Sequence, residues 1–170
     1  MEISPRMADS RVLLRFTGTF APADRVEVVQ IFIDEGIDAR AGADDIVHRG
    51  SGISPEHLVV DFIAGYGVLQ FLQGYVSAAS ADSWAATKRA FKRLRAKHCG
   101  RQEINILADD GTRLARYVLP GDPLQCDAAI DAIAADLASL QRPDERWWLH
   151  PPASRWGTAL EAANQRNGDD

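Results

Sequence analysis

Residues 103–119, EINILADDGTRLARYVL, contain the clearest local signal in the sequence. Two runs rich in apolar residues flank a centre, Asp109-Asp110-Gly111-Thr112, that contains an Asp-Gly pair. An Asp-Gly pair between two such runs is the strongest local signal of a β-hairpin, because glycine adopts the positive φ that tight hairpin turns require. The stretch therefore predicts two neighbouring antiparallel strands.

Upstream of the hairpin, the pattern predicts a strand followed by a helix. Residues 11–16, RVLLRF, form a short apolar run that is typical of a strand. Pro22 fits the first turn of a helix, and Gly36 fits the position just beyond its end. The apolar residues between these two limits and just after them share one helical face: Val26, Val29, Ile33 and Ile37. Residues 37–48 are then expected to return as a strand pair or an irregular arm.

The apolar stretch over residues 58–81, LVVDFIAGYGVLQFLQGYVSAASA, is open to three interpretations. Ser54 and Pro55 are a good helix start, so we expect a helix here. Its length suits a membrane span, but Asp61, two glutamines and three glycines argue against one. The preferred prediction is a buried central helix with one core-facing stripe: Leu58, Phe62, Leu69, Leu72 and Val76.

Three aromatic residues of this stretch lie beyond that stripe: Tyr66, Phe71 and Tyr75. Exposed apolar area in excess of what a monomer needs marks an interaction site. The third interpretation is therefore a surface that meets a partner protein or a second copy, and it is compatible with a buried inner face. We count these three residues among the candidate interaction residues.

A second helix is expected to begin near residue 82 and to end in a strongly basic run. The residues KRAFKRLRAK, 88–97, hold six cations and no acid: Lys88, Arg89, Lys92, Arg93, Arg95 and Lys97. Such a face can be merely solvated, or it can dock an acidic protein surface. It can also track nucleic-acid phosphates or anionic lipid. Trp84 and Phe91 are expected in the core, which leaves few aromatic residues for stacking on single-stranded bases.

After the hairpin, Asp122-Pro123 predicts the start of a third helix, which Pro143 ends. Its apolar residues share one face: Cys126, Ile130, Ile133, Leu137 and Leu140. Residues 142–170 form a Trp/Pro-rich tail whose end is expected to be disordered. Large rigid side chains suit a docking peptide or a swapped arm, so the tail's tryptophans join the candidate interaction residues: Trp147, Trp148 and Trp156. The alternative is that Trp147 and Trp148 pack on the chain's own sheet.

No motif in the sequence predicts catalysis, a cofactor or a metal. The reactive groups besides carboxylates are His48, His57, His98 and Cys99, and no pair of them has metal-binding spacing. Two cysteines cannot form a disulfide framework. We therefore expect no catalytic, cofactor-binding or metal-binding residue. A small effector enzyme stays an alternative, and its sign would be a pocket that gathers His57, His98 or a carboxylate pair.

Composition indicates a soluble cytoplasmic protein with one domain. Apolar residues make up 46% and charged residues 25% of the 170 positions, and the net charge of −5 argues against a generic nucleic-acid binder. The first residues contain no apolar segment of the kind that a secretory signal needs. We expect a flexible leader over residues 1–10 and an α+β domain over residues 11–141. Its sheet should be small and mostly antiparallel, with three to five strands packed by three or four helices.

From residue 55 onward, the order of segments resembles a known family. A Gly/Ala-rich apolar helix leads to a Trp-bearing helix with a basic end, and the Asp-Gly hairpin and an Asp-Pro-initiated helix follow. This order, over residues 55–140, is similar to that of the effector-associated constant component group, small domains of bacterial conflict and defence systems. The resemblance implies an adaptor that couples to effectors such as peptidases or signalling modules. It transfers no catalytic residue.

The expected function is a non-enzymatic protein–protein interaction module in a bacterial defence or effector pathway. Its partner is expected to be an effector or a second copy of the chain, so we expect a homo-oligomer. One alternative is a nucleic-acid-associated regulator that uses the basic residues 88–97, which would bind oligonucleotides with a steep salt dependence. A membrane-associated protein is the remaining alternative.

Overall fold

The structure is a computed structural model that describes residues 11–16, 20–42, 57–63, 78–98, 100–108, 111–140 and 142–168. Within these residues, seven strands form one sheet and five helices accompany it. The strands are β1 Arg11–Phe16, β2 Asp38–Ala41, β3 His57–Ile63, β4 Arg101–Leu107, β5 Arg113–Val118, β6 Asp144–Leu149 and β7 Arg155–Thr158. The helices are α1 Pro22–Asp34, α2 Ala78–Lys97, α3 Pro123–Asp131, α4 Ile133–Ser139 and α5 Ala159–Gly168.

The sheet alternates between parallel and antiparallel neighbours in the order β2-β1-β3-β4-β5-β6-β7. The pairs β1–β2, β3–β4 and β5–β6 are parallel, and helices lie between their strands along the chain. The pairs β1–β3, β4–β5 and β6–β7 are antiparallel. Parallel neighbours need a crossover connection, which α1, α2 and the α3–α4 pair provide. The molecule is thus a row of strand–helix–strand units joined by antiparallel contacts.

The hairpin predicted from residues 103–119 is confirmed as β4 and β5. Glu103 pairs with Val118, and Ile106 pairs with Ala115. Gly111 has a φ of +83°, the left-handed value for which glycine has no steric penalty. The backbone N–H of Ala108 donates to the carbonyl of Thr112 at 2.8 Å and closes the turn. The local turn chemistry was therefore sufficient to place these two strands.

The prediction of a small, mostly antiparallel sheet is wrong in its details. The sheet has seven strands within the described residues, and half of its neighbouring pairs are parallel. The coarser prediction, one fold that mixes helices with a sheet, is confirmed. The error arose in two places, residues 57–63 and residues 144–158, where strands were taken for a helix and for a tail.

Residues 57–63 are strand β3, whereas the sequence predicts a helix that starts at Ser54 and Pro55 and includes these residues. Strand β3 lies between β1 and β4, and every residue from His57 to Phe62 is buried. A strand covered on both faces is apolar without alternation, and periodicity alone cannot distinguish it from a buried helix segment. Tyr66, Phe71 and Tyr75, the proposed interaction residues of this stretch, lie outside the described residues.

Residues 144–168 continue the sheet instead of forming a separate tail. Strand β6 pairs with β5, β7 pairs with β6, and α5 follows. Thr158 and Glu161 explain where α5 begins, because each supplies a side-chain acceptor to the other's backbone N–H, at distances of 2.8 and 3.2 Å. This reciprocal arrangement is a capping box, and its sequence signal, Thr-x-x-Glu, was visible in the chain.

The two faces of the sheet have different chemistry. One face, which we call the helical face, packs against α1–α4 through alternate strand residues: Val12, Leu14, Leu58, Val60, Ile104, Ile106 and Tyr117. Phe32 of α1 meets Phe91 of α2 edge to face, with 5.6 Å between ring centroids. The opposite face, which we call the polar face, carries His57, Asp61 and Glu103. Successive strand residues point to opposite sides, so the two chemistries alternate along each strand.

Helix α1 forms where the sequence predicts it, but only part of its predicted apolar face meets the core: Ile37, just after the helix, is buried and Val29 packs against the core. Val28, Ile31 and Phe32 are the buried residues of α1. Val26 is 69% exposed and Ile33 is 45% exposed. The helix therefore has apolar residues on two opposite sides, and periodicity could not tell which side meets the sheet.

The described helices also bear on the membrane alternative. None of them combines the length and the apolar character that a membrane crossing requires. The residues from 64 to 77 lie outside this statement because the structure does not describe them.

Candidate functional site

The basic run of α2 is engaged by acidic residues and carbonyls of the same chain. Arg89 and Arg93 donate to the Glu35 carboxylate at 2.8 and 3.3 Å. Lys88 donates to Asp131 at 3.0 Å. Lys97 likewise contacts the carboxylate of Glu27. Arg95 contacts the backbone carbonyls of Pro120 and Gly121. Within the described residues, Lys92 alone of the six predicted basic residues makes no such contact.

These ion pairs change the electrostatics of the predicted basic surface. The Arg89 hydrogen bond lowers the pKa of Glu35, and the Lys97 hydrogen bond lowers the pKa of Glu27, so both carboxylates stay ionised beside their cations. Each pair is solvent-exposed, so water and salt screen it and it contributes little to the stability of the fold. Their sum still matters, because carboxylates offset four of the six positive charges locally, while Arg95 contacts only neutral carbonyls. A phosphate backbone would have to compete with these internal partners.

Two of the three predicted interaction tryptophans are buried in the chain's own core. Trp156 is 3% exposed, and its indole N–H donates to the carbonyl of Ala129 at 2.9 Å. Trp148 is 5% exposed and donates to Gln125 Oε1 at 3.0 Å. Their rings meet edge to face at 5.4 Å. Both rings anchor the sheet to α3, so they offer little free area to a partner in this conformation.

Trp147 lies on the other side of β6 and is only partly buried. The guanidinium carbons of Arg101 and Arg166 are each 5.6 Å from the Trp147 ring centroid. The indole N–H donates to Glu145 Oε1 at 2.7 Å, which fixes the ring orientation. We call Trp147, Arg101, Arg166 and Glu145 the tryptophan patch. Cation–π contacts of this type contribute about 0.5–1 kcal/mol at exposed sites, so the patch is preformed without being rigidly locked.

A cleft of about 210 Å³ opens beside the tryptophan patch. Val118, Leu119 and Pro120 form its apolar wall, and His150 and Arg166 stand with Trp147 at its polar side. Helix α5 is held along the cleft by Gln165, whose amide accepts from the His150 N–H at 2.9 Å and donates to the His150 carbonyl at 2.8 Å. The cleft is therefore shaped by fixed elements and combines an apolar wall with a cation.

The polar face carries a buried carboxylate, Glu103, that the sequence analysis did not identify. Glu103 is 1% exposed, and Arg116 and Arg101 approach its oxygens at 2.8 Å. His57 Nε2 lies 3.3 Å from Glu103 Oε2. Burial alone would raise the pKa of Glu103, but the hydrogen bonds from His57 and Arg116 outweigh it and hold the pKa at about 2. Glu103 thus stays anionic at neutral pH and cannot serve there as a general acid.

A second ion pair lies on the same face. Arg15 donates to both oxygens of Asp61, at 2.6 and 2.9 Å, and Asn105 donates to the same carboxylate at 2.9 Å. Asp61 is the residue that argued against a membrane span, and its partners come from the two strands beside it. The signal for both carboxylates was present in the sequence as polar residues at alternate strand positions, such as Glu103 and Asn105.

Of the reactive groups singled out from the sequence, His48 and Cys99 lie outside the described residues, and His57 and His98 lie in different surroundings. Cys126 is buried, and burial raises the pKa of its thiol to about 11, so it is neutral and unreactive at physiological pH. His57 contacts Glu103, while the ring of His98 lies 5.9 Å from that of Phe20. Among the described residues, no cluster of three histidine, cysteine or acidic side chains is arranged to hold a metal ion.

Comparisons of the chain with protein-family models, with curated proteins and with solved structures gave no match. The resemblance to effector-associated domains therefore stays a prediction from the order of segments. The candidate site rests on the chemistry of the tryptophan patch, the cleft and the polar face.

Proposed function

We propose that this protein is a non-enzymatic interaction module that binds a partner protein at the tryptophan patch and associates with itself. Trp147, held between Arg101 and Arg166 beside a preformed cleft, is the observation that carries this proposal. Tryptophan and arginine are the residues most enriched among energetic hot spots of interfaces, and hot spots pair with well-packed pockets on the other surface. The cleft has room for one side chain of a partner next to the indole.

The charges of the patch favour an acidic partner segment. Arg101 already binds Glu103, and Glu145 is bound by the Trp147 indole. Arg166 makes no ion pair within the described residues and is exposed at the edge of the cleft. An unneutralised guanidinium beside an apolar wall suits a carboxylate that neighbours an apolar side chain.

The place of such a module in a bacterial defence or effector pathway rests on the resemblance of residues 55–140 to effector-associated adaptor domains. An adaptor needs one surface for its effector and a second for assembly. The tryptophan patch supplies the first of these surfaces.

In-cell photo-crosslinking tests the partner-binding proposal. A photoreactive amino acid replaces His150, which lines the cleft, and in a control it replaces Leu124, which is exposed on α3. In cells that express the chain natively, we expect a crosslinked product of defined mass from position 150 only. Introducing Trp147→Ala or Arg166→Glu should abolish it while the thermal unfolding midpoint of the purified protein changes little. A product that persists in both variants, or no product at all, would refute binding at the patch.

A further inference from the structure

Five side chains of the polar face form a closed circuit of contacts that joins the buried Glu103 to Trp147. Arg101 and Arg116 each lie 2.8 Å from an oxygen of the Glu103 carboxylate. The guanidinium carbon of Arg101 is also 5.6 Å from the Trp147 ring centroid. Arg116 reaches Glu145 at 3.5 Å, and Glu145 accepts from the Trp147 indole N–H at 2.7 Å. We call these five residues the Glu103 network, and two separate routes along it lead from Glu103 to Trp147.

The register of the sheet explains why these side chains meet. Glu103 pairs with Val118, and Val118 pairs with Trp147, so the three residues lie in one row across β4, β5 and β6. Neighbouring strands are about 4.8 Å apart, which puts the backbones of Glu103 and Trp147 roughly 10 Å from each other. At that separation the Glu103 carboxylate acts on the Trp147 ring through the longer side chains between them.

The exposure of the network rises from Glu103 towards the surface. Glu103 is 1% exposed, whereas the side chains of Arg101 and Glu145 are 44% and 36% exposed. A long side chain that reaches solvent samples several rotamers unless a fixed partner holds its charged end. Glu103 is such a partner, because its buried carboxylate is bound on several sides. The ordered position of Arg101 over Trp147 therefore depends on Glu103.

Glu103 also sets which cation of the patch is left to bind an anion. Arg101 and Arg116 both face the Glu103 carboxylate, and Arg116 has Glu145 as a further partner. Arg166 makes no ion pair within the described residues and lines the cleft. The network thus compensates two guanidinium charges and leaves that of Arg166 for the carboxylate of a partner. A charge that stands at one point of a surface selects the partner that places its own charge there.

We propose that Glu103 is a positioning residue for the tryptophan patch. It holds Arg101 over the indole ring directly. Through Arg116 it also orients Glu145, the acceptor of the indole N–H. This inference rests on the proposed function and identifies the buried residue on which the binding surface depends. A surface that is preformed loses less entropy when a partner binds, so Glu103 raises the affinity of the patch without touching the partner.

Nuclear magnetic resonance of the Trp147 indole N–H tests this role, with Trp147→Phe to assign the signal. Glu103→Gln should shift this signal and speed up the exchange of its proton with water, because the indole loses a fixed acceptor. Asp61→Asn is the matched control and should leave the signal unchanged. It alters another buried carboxylate of the polar face, whose partners Arg15 and Asn105 make no hydrogen bond or ion pair with the network within the described residues.

Arg116→Gln is the second variant, and it keeps the test decisive if Glu103→Gln is poorly folded. It breaks one of the two routes to the indole while Glu103 keeps its other partners, so the Trp147 signal should shift by a smaller amount. A signal that is unchanged in every folded variant of the network, or that shifts equally in Asp61→Asn, would overturn the positioning role.

The crosslink at position 150 separates this inference from the proposed function. Per folded chain in the cell, Glu103→Gln should lose most of the crosslinked product, although Glu103 is not among the residues that line the cleft, and Asp61→Asn should keep it. A full yield from Glu103→Gln would refute the positioning role and leave partner binding at Trp147 intact. Absence of the product from the otherwise unchanged chain would refute partner binding, while the Trp147 signal still decides whether Glu103 orients the patch.

Discussion

Glu103 is a residue that the fold keeps ionised although almost none of its surface meets water. It is 1% exposed, and His57, Arg101 and Arg116 surround its oxygens. A buried charge without partners costs several kcal/mol, so Glu103 could not stay buried and ionised without these contacts. Arg101 also lies over the Trp147 ring, so Arg101 links the buried Glu103 carboxylate to the tryptophan patch.

The depressed pKa of Glu103 predicts a loss of stability in acid. Its folded-state pKa is about 2, whereas the ordinary value is 4.5, so ionised Glu103 stabilises the fold above pH 4.5. This contribution, at most about 3 kcal/mol, should be lost as the pH falls from 4.5 towards 2. Urea denaturation at a series of pH values measures it. A free energy of unfolding that stays constant over this interval would contradict the prediction.

The variant Glu103→Gln isolates the same effect. It leaves Arg101, Arg116 and His57 without their anionic partner, and we expect it to lower the free energy of unfolding by about 2–3 kcal/mol at neutral pH, because the arginines keep partial access to water. The loss of stability between pH 4.5 and 2 should also become smaller. Glu145→Gln, at the exposed edge of the same face, serves as the control and should change stability by less than about 1 kcal/mol.

Gly157 is required by close packing and not by a left-handed backbone. A Cβ at this position would lie 2.8 Å from Leu149 Cδ1, 3.0 Å from Leu149 Cγ and 2.7 Å from Glu161 Oε2. Gly157→Ala should therefore destabilise the protein by about 1–3 kcal/mol, because Leu149 is buried and cannot move freely. Gly121→Ala is the control, since open space surrounds that position. Equal urea midpoints for the two variants would refute this reasoning.

Among the elements, α3 begins where the sequence predicts, because the hydrogen bonds that cap it are made within one short stretch of the chain. Asp122 accepts from the backbone N–H groups of Leu124 at 2.8 Å and Gln125 at 3.4 Å, and Pro123 occupies the first helical position. The sequence predicted this start because an N-cap acts within four residues and needs no tertiary partner. The buried residues of α3, Cys126, Ala129 and Ile130, are then placed against Trp156.

Removing the α3 cap should cost a measurable amount of stability. Asp122→Ala leaves two backbone N–H groups without their acceptor, so we expect a loss of about 1 kcal/mol, within a range of 0.5–2. Asp127→Ala, which alters an exposed carboxylate in the same helix, should be close to neutral. Circular dichroism melts of both variants provide the comparison, and an Asp127 effect as large as the Asp122 effect would count against the cap.

Helix α1 and strand β3 show where element-scale reasoning fails. Both have apolar residues on more than one side, so the period alone does not say what each side contacts. In β3 the covering strands and layers make a continuous apolar run favourable. In α1 the fully buried residues are Val28, Ile31 and Phe32, and Val29 is partly buried against the core.

At the scale of the whole molecule, residues 142–168 are part of the core. Arg146 donates to Asp136 at 2.8 and 3.0 Å, and Asp136 accepts from the buried Tyr117 hydroxyl at 3.0 Å. These bonds and the Trp148 and Trp156 rings connect β6 and β7 to β5, α3 and α4. The last strands therefore fix the position of helices that precede them in the chain.

Truncation tests this dependence. A chain that ends at residue 141 exposes the β5 edge and the apolar side of α3, so we expect it to aggregate or to lose its cooperative thermal transition. A chain that ends at residue 158 loses only α5, whose single buried residue is Ala162, and should still melt cooperatively at a moderately lower temperature. A cooperative transition of the shorter chain at the wild-type temperature would show that β6 and β7 are dispensable.

Features that depend only on neighbours within a few residues could be predicted from the sequence. These are the Asp-Gly hairpin, the capped start of α3 and the basic composition of α2, together with the combination of helices and a sheet. Turn geometry, caps and charge runs are local, so a short stretch contains all of their physical causes.

Only the tertiary structure decided which surfaces are free. It placed Trp148 and Trp156 in the core and Trp147 at a cleft, and it left Val26 and Ile33 of α1 exposed. It also offset most of the α2 cations with acids that are distant in sequence, such as Glu35 and Asp131. Burial and ion pairing depend on contacts between residues that are distant in sequence, so a short stretch does not specify which of its side chains are buried or paired.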